Sequence, residues 1–473
     1  MTTWLPSLEN RTGPLYCRIA DGIEQAIAEG TLAAGTKLPP QRNLAYDLGV
    51  TIGTVSRAYA LARERGLVAG EIGRGTYVNA LSRDDIAPLA AGDIAPGKGV
   101  PFRANGAGTL IRLDSTAAPD VGQVAAIERL LGEITRRHPG ELLDYIRHVP
   151  VAWEEAGQRW LATAGWRPER ADVVPTLGVH AAAMSIIAAV TAPGDRIAME
   201  QLTYASVARG AAVMGRRVVA VAADSDGFDP AEFEAVCAQQ HPRLAFLSSS
   251  VANPTGVTMP AGRRAAIGEI ANRYNVWLID DMIYDSLTRH AVPPIAAFAP
   301  DRTFTIGGLS KSVAAGVRGG WAACPPHMAE RVLVAQKLIT GGKPFLMAEL
   351  AARLVLSGEA DLIRDRVREE IAARVAIAVE MFEGFESSAH PKCSFIWMEL
   401  PEPWRSSEFR HAAARAGVLI DDEDEFKPVR LDRTFYRFRM GLTQPPDRAA
   451  LTEGLSALRR LMDSGATAHD SYA

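Results

Sequence analysis

Cysteine is scarce. The 473 residues hold four, Cys17, Cys237, Cys324 and Cys393, far apart and with no Cys-x-x-Cys pair. That spacing argues against a disulfide framework or a zinc site, leaves no metal-ligand set, and fits a reducing compartment. No apolar run reaches the ~18 residues that mark a membrane-crossing helix. The opening MTTWLPSLENRTGP lacks a basic start followed by an apolar stretch, so no signal peptide is expected. A cytoplasmic chain with no membrane role follows as the expectation. Excess charge is missing too. The formal net charge is −4, so any signal for nucleic acid has to be local. A hydrophobic content of 48% and a charged content of 22% suit a large core, and the length calls for two or three domains.

The first patterned stretch is 14–80. Ile19, Ile23, Ala26 and Ile27 recur at helical spacing, and Gly30 and Gly35 follow as a turn. Pro39-Pro40 opens a second short helix that Gly49 ends. Thr51 is placed to cap a third, running through Val55 and Tyr59 toward Gly66. In LVAGEIGRGTYVNA, glycines separate two short β-prone pieces, which predicts a hairpin. Three helices and a hairpin make a winged helix-turn-helix. Residues 31–80 carry six Lys/Arg against three Asp/Glu, a modest local excess.

This whole segment resembles the GntR-type winged helix-turn-helix. The resemblance implies double-stranded DNA as a partner, with the third helix entering the major groove by its N-terminal end. Thr51, Gly53, Thr54 and Arg57 lie on or near that end, and Arg42 and Arg74 are in reach of phosphates or the minor groove. Ile52 stands where the family usually has a basic residue.

Residues 81–120 are rich in Ala, Gly and Pro without periodicity and read as a linker. From about 121 to 465, amphipathic helices alternate with apolar pieces such as DVVPT, RIAME, RVVAVA, LAFLSS, VWLID and TFTIG. That alternation predicts an α/β fold with a mainly parallel sheet covered on both faces. Beyond about 350, long helices and then CSFIWMEL, GVLID and FYRFRMGL predict a smaller α+β lobe.

The chemistry sits in the second region. Lys311 lies in LSKSVAAGVRGG beside Ser310 and seven residues before Arg318. Asn253-Pro254-Thr255-Gly256 and Asp281-Met282-Ile283-Tyr284 precede it. Pyridoxal 5′-phosphate (PLP) needs a lysine, a carboxylate for its pyridine nitrogen, a partner for the ring hydroxyl and donors around its phosphate. Asp281 directly follows VWLID, at the edge where ligands bind in such sheets. Tyr284 and Asn253 are both candidates for the hydroxyl. Gly178, Val179 and His180 open a helix whose amides suit the phosphate, with Arg318 as a forked cation, and Tyr204 can stack on the ring.

In order and spacing these residues resemble a fold type I aminotransferase. The resemblance makes Lys311 the Schiff-base lysine and Asp281 the pyridinium partner, with Asp280 the lesser candidate. It makes Arg439, in FRMGL, the arginine that clamps a substrate α-carboxylate, although Arg437 shares its strand face. Departures from the pattern are Gly308 where a serine is usual, Val179 and His180 where polar residues are usual, and Lys392-Cys393-Ser394 in place of a glycine pair.

The two halves together resemble the MocR subfamily of bacterial transcriptional regulators. That implies a homodimer whose hold on DNA responds to an amine or amino acid, or to PLP itself. The alternative is a working aminotransferase with a DNA-binding arm.

Overall fold

The computed structural model describes residues 4–6, 14–33, 36–64, 67–71, 75–78, 110–163, 165–288, 292–431 and 433–472. The chain divides into two compact units, Met1–Gly97 and Lys98–Ala473.

In the first unit, α1 (Leu15–Ala28), α2 (Gln41–Asp47) and α3 (Ile52–Glu64) are followed by the hairpin strands β1 (Val68–Glu71) and β2 (Gly75–Val78). The helical-spaced apolar residues do what their period requires. Ile19, Ile23 and Ala26 are buried against Leu44, Val55, Tyr59 and Ala62. The Tyr59 hydroxyl donates to the Pro39 carbonyl at 2.7 Å, so the buried phenol is satisfied and α3 is tied to the turn before α2. Strands β1 and β2 pair antiparallel, Val68 opposite Val78 and Glu71 opposite Gly75, as a wing should.

The second unit begins with extended chain. Residues 110–120, expected as the end of the linker, are instead packed structure. β3 (Ile111–Arg112) runs parallel to β15 (Val418–Leu419). Leu113 is fully buried, and its carbonyl accepts from the Gly441 amide. The alternation of Ile111 and Leu113 is too short to show against the glycine-rich stretch before it. Residues 79–109, the rest of the expected linker, lie outside the described residues.

A seven-stranded sheet carries the unit. Its strands are β4 (Val173–Thr176), β5 (Arg196–Glu200), β6 (Arg217–Val221), β9 (Leu244–Leu247), β10 (Trp277–Asp281), β11 (Thr303–Gly308) and β12 (Gly320–Ala323). A short hairpin, β7 (Ala223–Asp224) with β8 (Gly227–Phe228), stands apart. The sheet order is β4-β12-β11-β10-β9-β5-β6. The run from β11 to β6 is parallel, whereas β12 pairs antiparallel with both β11 and β4. All six expected strands form. β12 was hidden in the glycine-dotted stretch after Lys311. Between strands, helices such as Gly178–Val190 and Ala261–Tyr274 cover the faces.

The C-terminal part holds a four-stranded sheet, β13 (Ser387–Ala389), β14 (Phe395–Glu399), β17 (Arg437–Gly441) and β16 (Asp421–Asp422), in that order. Helices Glu359–Met381, Ser406–Arg415 and Arg448–Tyr472 accompany it. Among the described residues no helix is long and apolar enough to cross a membrane.

Candidate ligand cavity and DNA-reading helix

The C-terminal edge of the parallel strands opens into a cavity of about 380 Å³. Its wall includes nearly every residue singled out in the sequence: Val179, His180, Tyr204, Asn253, Asp281, Tyr284, Ser310, Lys311, Arg318 and Arg439. The fold brings them there because strand ends and the turns after them converge on one edge of such a sheet.

Lys311 lies in the turn after β11 and donates from Nζ to the Thr116 hydroxyl at 2.9 Å. Thr116 Oγ1 is also 2.9 Å from the Tyr284 hydroxyl. Burial, with the Arg439 charge, lowers the Lys311 ammonium to about 8. Asp281 closes β10. Burial, with Asp280 beside it, raises its carboxyl to about 7, while the Ile283 amide donates to it at 3.1 Å. Burial pushes the Tyr284 phenol up, so it is a neutral hydroxyl at ordinary pH, and its ring meets Phe395 edge-on at 5.3 Å.

Asp280 has a different environment. It is fully buried and accepts from the Ser249 amide, the Ser249 hydroxyl and the Ile295 amide. Successive strand residues face opposite sides, so only one of the two carboxylates can reach the cavity.

At the other end of the cavity the helix Gly178–Val190 begins. No side chain caps it, and its first amides are oriented as in an anion site. Gly178 has φ +83°, and a Cβ there would meet the Arg318 guanidinium at 3.7 Å. Arg318 donates to the Leu177 carbonyl at 3.3 Å, which holds its fork beside this helix start. Burial lowers the His180 imidazole, its Nδ1 has no partner among the described residues, and its ring meets Tyr204 edge-on at 6.0 Å. Gly308 has a packing reason: a Cβ would lie 2.7 Å from the Gly319 carbonyl oxygen, so a serine there would collide with backbone.

Arg439 is engaged by the protein's own side chains. Nη1 donates to Asn253 Oδ1 at 2.8 Å and Nη2 pairs with the Asp421 carboxylate. Arg437 pairs with Glu386 and Glu399 and does not line the cavity. Several lining residues escaped the sequence reading: Asp114, Thr116, Arg209, Asp421 and Glu425. Thr116 was concealed by assigning 81–120 to a linker. Asp421 was visible in GVLID but carried no motif.

The residues fit a PLP group on these observations. A half-buried lysine has the Thr116 hydroxyl as its hydrogen-bond partner among the described residues, a buried carboxyl needs a cation to ionise it, and an uncapped helix start faces an arginine. Such a group supplies an electrophilic carbonyl for amines and an electron sink. Lys311 would hold it covalently, Asp281 would hold its ring nitrogen, and Gly178, Ser310 and Arg318 would hold its phosphate.

In the first unit the Thr54 amide donates to the Thr51 hydroxyl at 3.2 Å, which caps α3 as its sequence predicts. Arg42, Thr51, Gly53 and Arg57 are exposed, and Thr54 is half-buried. The Arg57 guanidinium lies 5.6 Å from the Tyr16 ring centroid, a contact that restrains the side chain. Ile52, at the position where the resembled family usually has a basic residue, is exposed. Arg74 lies outside the described residues.

Comparison with known proteins agrees with both halves. Residues 145–448 match the family described as aminotransferase class I and II, whose enzymes are PLP-dependent. Residues 15–78 match bacterial regulatory proteins of the gntR family. An uncharacterized HTH-type transcriptional regulator of Bacillus subtilis, YdeF, is 26% identical over 98% of this chain and 97% of its own. The probable rhizopine catabolism regulatory protein MocR of Rhizobium meliloti is 25% identical over 67% of this chain and 66% of its own. The crystal structure of an archaeal alanine:glyoxylate aminotransferase superposes with a TM-score of 0.68 at 21% identity, covering 76% of this chain and 92% of that one.

Proposed function

Because the chain belongs to the aminotransferase class I and II family and carries a gntR-family reader ahead of that domain, in the MocR-type arrangement, we propose that it is a PLP-dependent, DNA-binding transcriptional regulator. An amine-bearing small molecule entering the Lys311 cavity sets how firmly the reader holds its operator. The observation that carries this reading is the coexistence, in one chain, of a reader helix with a capped, exposed start and a cavity lined by Lys311, Asp281, Tyr284 and Asn253.

In this reading Lys311 would provide the amine that holds the cofactor, whose carbonyl would be open to a ligand amine. Asp281 keeps the cofactor's ring nitrogen protonated, and Tyr284 and Asn253 serve its ring hydroxyl. Arg57 and the start of α3 read bases, while Arg42 and Arg74 reach phosphates or the minor groove. The chain acts as a homodimer, which presents two readers to repeated half-sites. A ligand shifts DNA affinity only by as much as it distinguishes two arrangements of the protein.

The test is a mobility-shift series on an operator fragment with apo protein, PLP-loaded protein and PLP-loaded protein plus amines. Equal affinity throughout rejects the regulator. The second reading, a working aminotransferase, is favoured by Lys311 and Asp281 sharing one cavity. It predicts sustained turnover between an amino donor and a 2-oxoacid.

A further inference from the structure

The arginines of the cavity are already spoken for. β16 and β17 pair antiparallel with Asp421 directly opposite Arg439, and directly opposed residues share a sheet face. The ion pair is therefore built into the strand register. Both side chains are buried. Asn253 takes the other terminal nitrogen of Arg439. The guanidinium lies 4.8 Å from the Phe426 ring centroid and 5.7 Å from that of Phe395. Only Nε lacks a partner among the described residues, and it is itself buried. A forked, two-point grip on an incoming carboxylate needs two adjacent N–H groups, and with Asn253 on one terminal nitrogen and the Asp421 carboxylate on the other, such a grip has to compete with the resident carboxylate. Arg209, the other arginine on this side, pairs with Glu425 at 2.8 Å. Of the lining arginines that leaves Arg318, which sits at the helix start suited to the phosphate.

We propose that Asp421 occupies the position a ligand carboxylate would take on Arg439, so that the cavity selects primary amines lacking a carboxylate on the amine-bearing carbon. The selectivity is a difference of affinities, and the repulsive element is the resident carboxylate. An α-amino acid has to displace Asp421 from a buried pair or place its own carboxylate beside it. An amine without that group meets an arginine already paired with a carboxylate, and the Phe426 ring beside it. This deepens the ligand-responsive reading above and rests on it.

The experiment uses the full chain loaded with PLP. Calorimetric titration compares two matched pairs: ethylamine with L-alanine, and 2-phenylethylamine with L-phenylalanine. The expected result is at least tenfold tighter binding of the amine in each pair. In Asp421→Asn, which keeps the shape and an acceptor for Arg439 but removes the charge, that ratio falls at least tenfold. Equal or tighter binding of the amino acids by the unaltered protein overturns the proposal, whether or not the variant folds. So does an unchanged ratio in folded Asp421→Asn, or failure of both amines to bind. Mobility shifts with the same probes separate the two levels. Amine selectivity with no change in DNA affinity leaves this inference standing and rejects the regulator. A DNA response driven by the amino acids instead does the reverse.

Discussion

Asp280 and Asp281 are consecutive on β10, yet one carboxylate accepts from the Ser249 and Ile295 amides and the Ser249 hydroxyl while the other lines the ligand cavity. Their substitutions should separate two properties. Asp281→Ala removes a charge-assisted contact worth on the order of 1.5–3 kcal/mol, so PLP affinity should drop about 10- to 150-fold, with a smaller loss of apo stability than at Asp280 because the Ile283 amide is the one donor it strands among the described residues. Asp280→Ala strands buried donors, and each costs roughly 1–3 kcal/mol, so it should lower the unfolding temperature first. Cofactor titration and thermal unfolding of both apo variants check this. Equal losses of PLP affinity at matched stability would remove Asp281 from its assigned role.

Lys311 supplies a pH dependence with a definite sign. A lysine must be neutral to attack a carbonyl, and burial together with Arg439 brings its ammonium down to about 8. Covalent loading of apo protein with PLP should rise about tenfold per pH unit below 8 and level off above it. An unperturbed lysine would keep climbing toward 10.5. The same shift means the folded state gives up this proton before the unfolded chain does. Its burial cost is therefore full below about 8 and fades as pH rises to the unfolded value. Borohydride trapping followed by mass measurement reads the loading rate. Lys311→Ala should leave no trapped product, and trapping at another residue would refute the assignment.

The cap on α3 gives a prediction for the reader. Thr51→Ala deletes the acceptor for the Thr54 amide, and an N-cap of this kind contributes about 0.5–2 kcal/mol. The first unit should unfold more readily, with the PLP-binding unit unaffected. Limited proteolysis with and without operator DNA, alongside cofactor absorption, tests this. Loss of cofactor binding in the variant would contradict it.

Much of this was legible in the sequence, and the reasons are particular. VWLID is an apolar strand run directly followed by Asp281, so β10 and the placement of Asp281 could be read from five letters and their sequel. Ile19, Ile23 and Ala26 mark one helix face by period alone. By contrast, Thr116 reaches Lys311 across 195 positions, and no local pattern carries a contact of that kind. β12 was obscured because Gly320, Trp321, Ala322 and Ala323 lack β-branched residues. Its pairing with β11 and β4 on either side supplies what propensity does not. Asp421 could be placed on a strand, but that it faces Arg439 depends on the register of β16 against β17, which is a property of the folded sheet.

Arg57 tests how the reader works. It is exposed, near the start of α3, and held by the Tyr16 ring. If it contacts a base edge, Arg57→Ala should cost roughly 1–3 kcal/mol on the operator and much less on scrambled DNA, narrowing the preference between them. If it contacts phosphate, both affinities should fall together and the salt dependence should shrink by about one ion. Tyr16→Leu should give a weaker version of whichever pattern appears, because it frees the guanidinium without removing it. Mobility shifts at two salt concentrations on both duplexes distinguish the cases. Unchanged binding by Arg57→Ala at both would take this residue out of the interface and move the reading surface toward Thr51, Gly53 and Thr54.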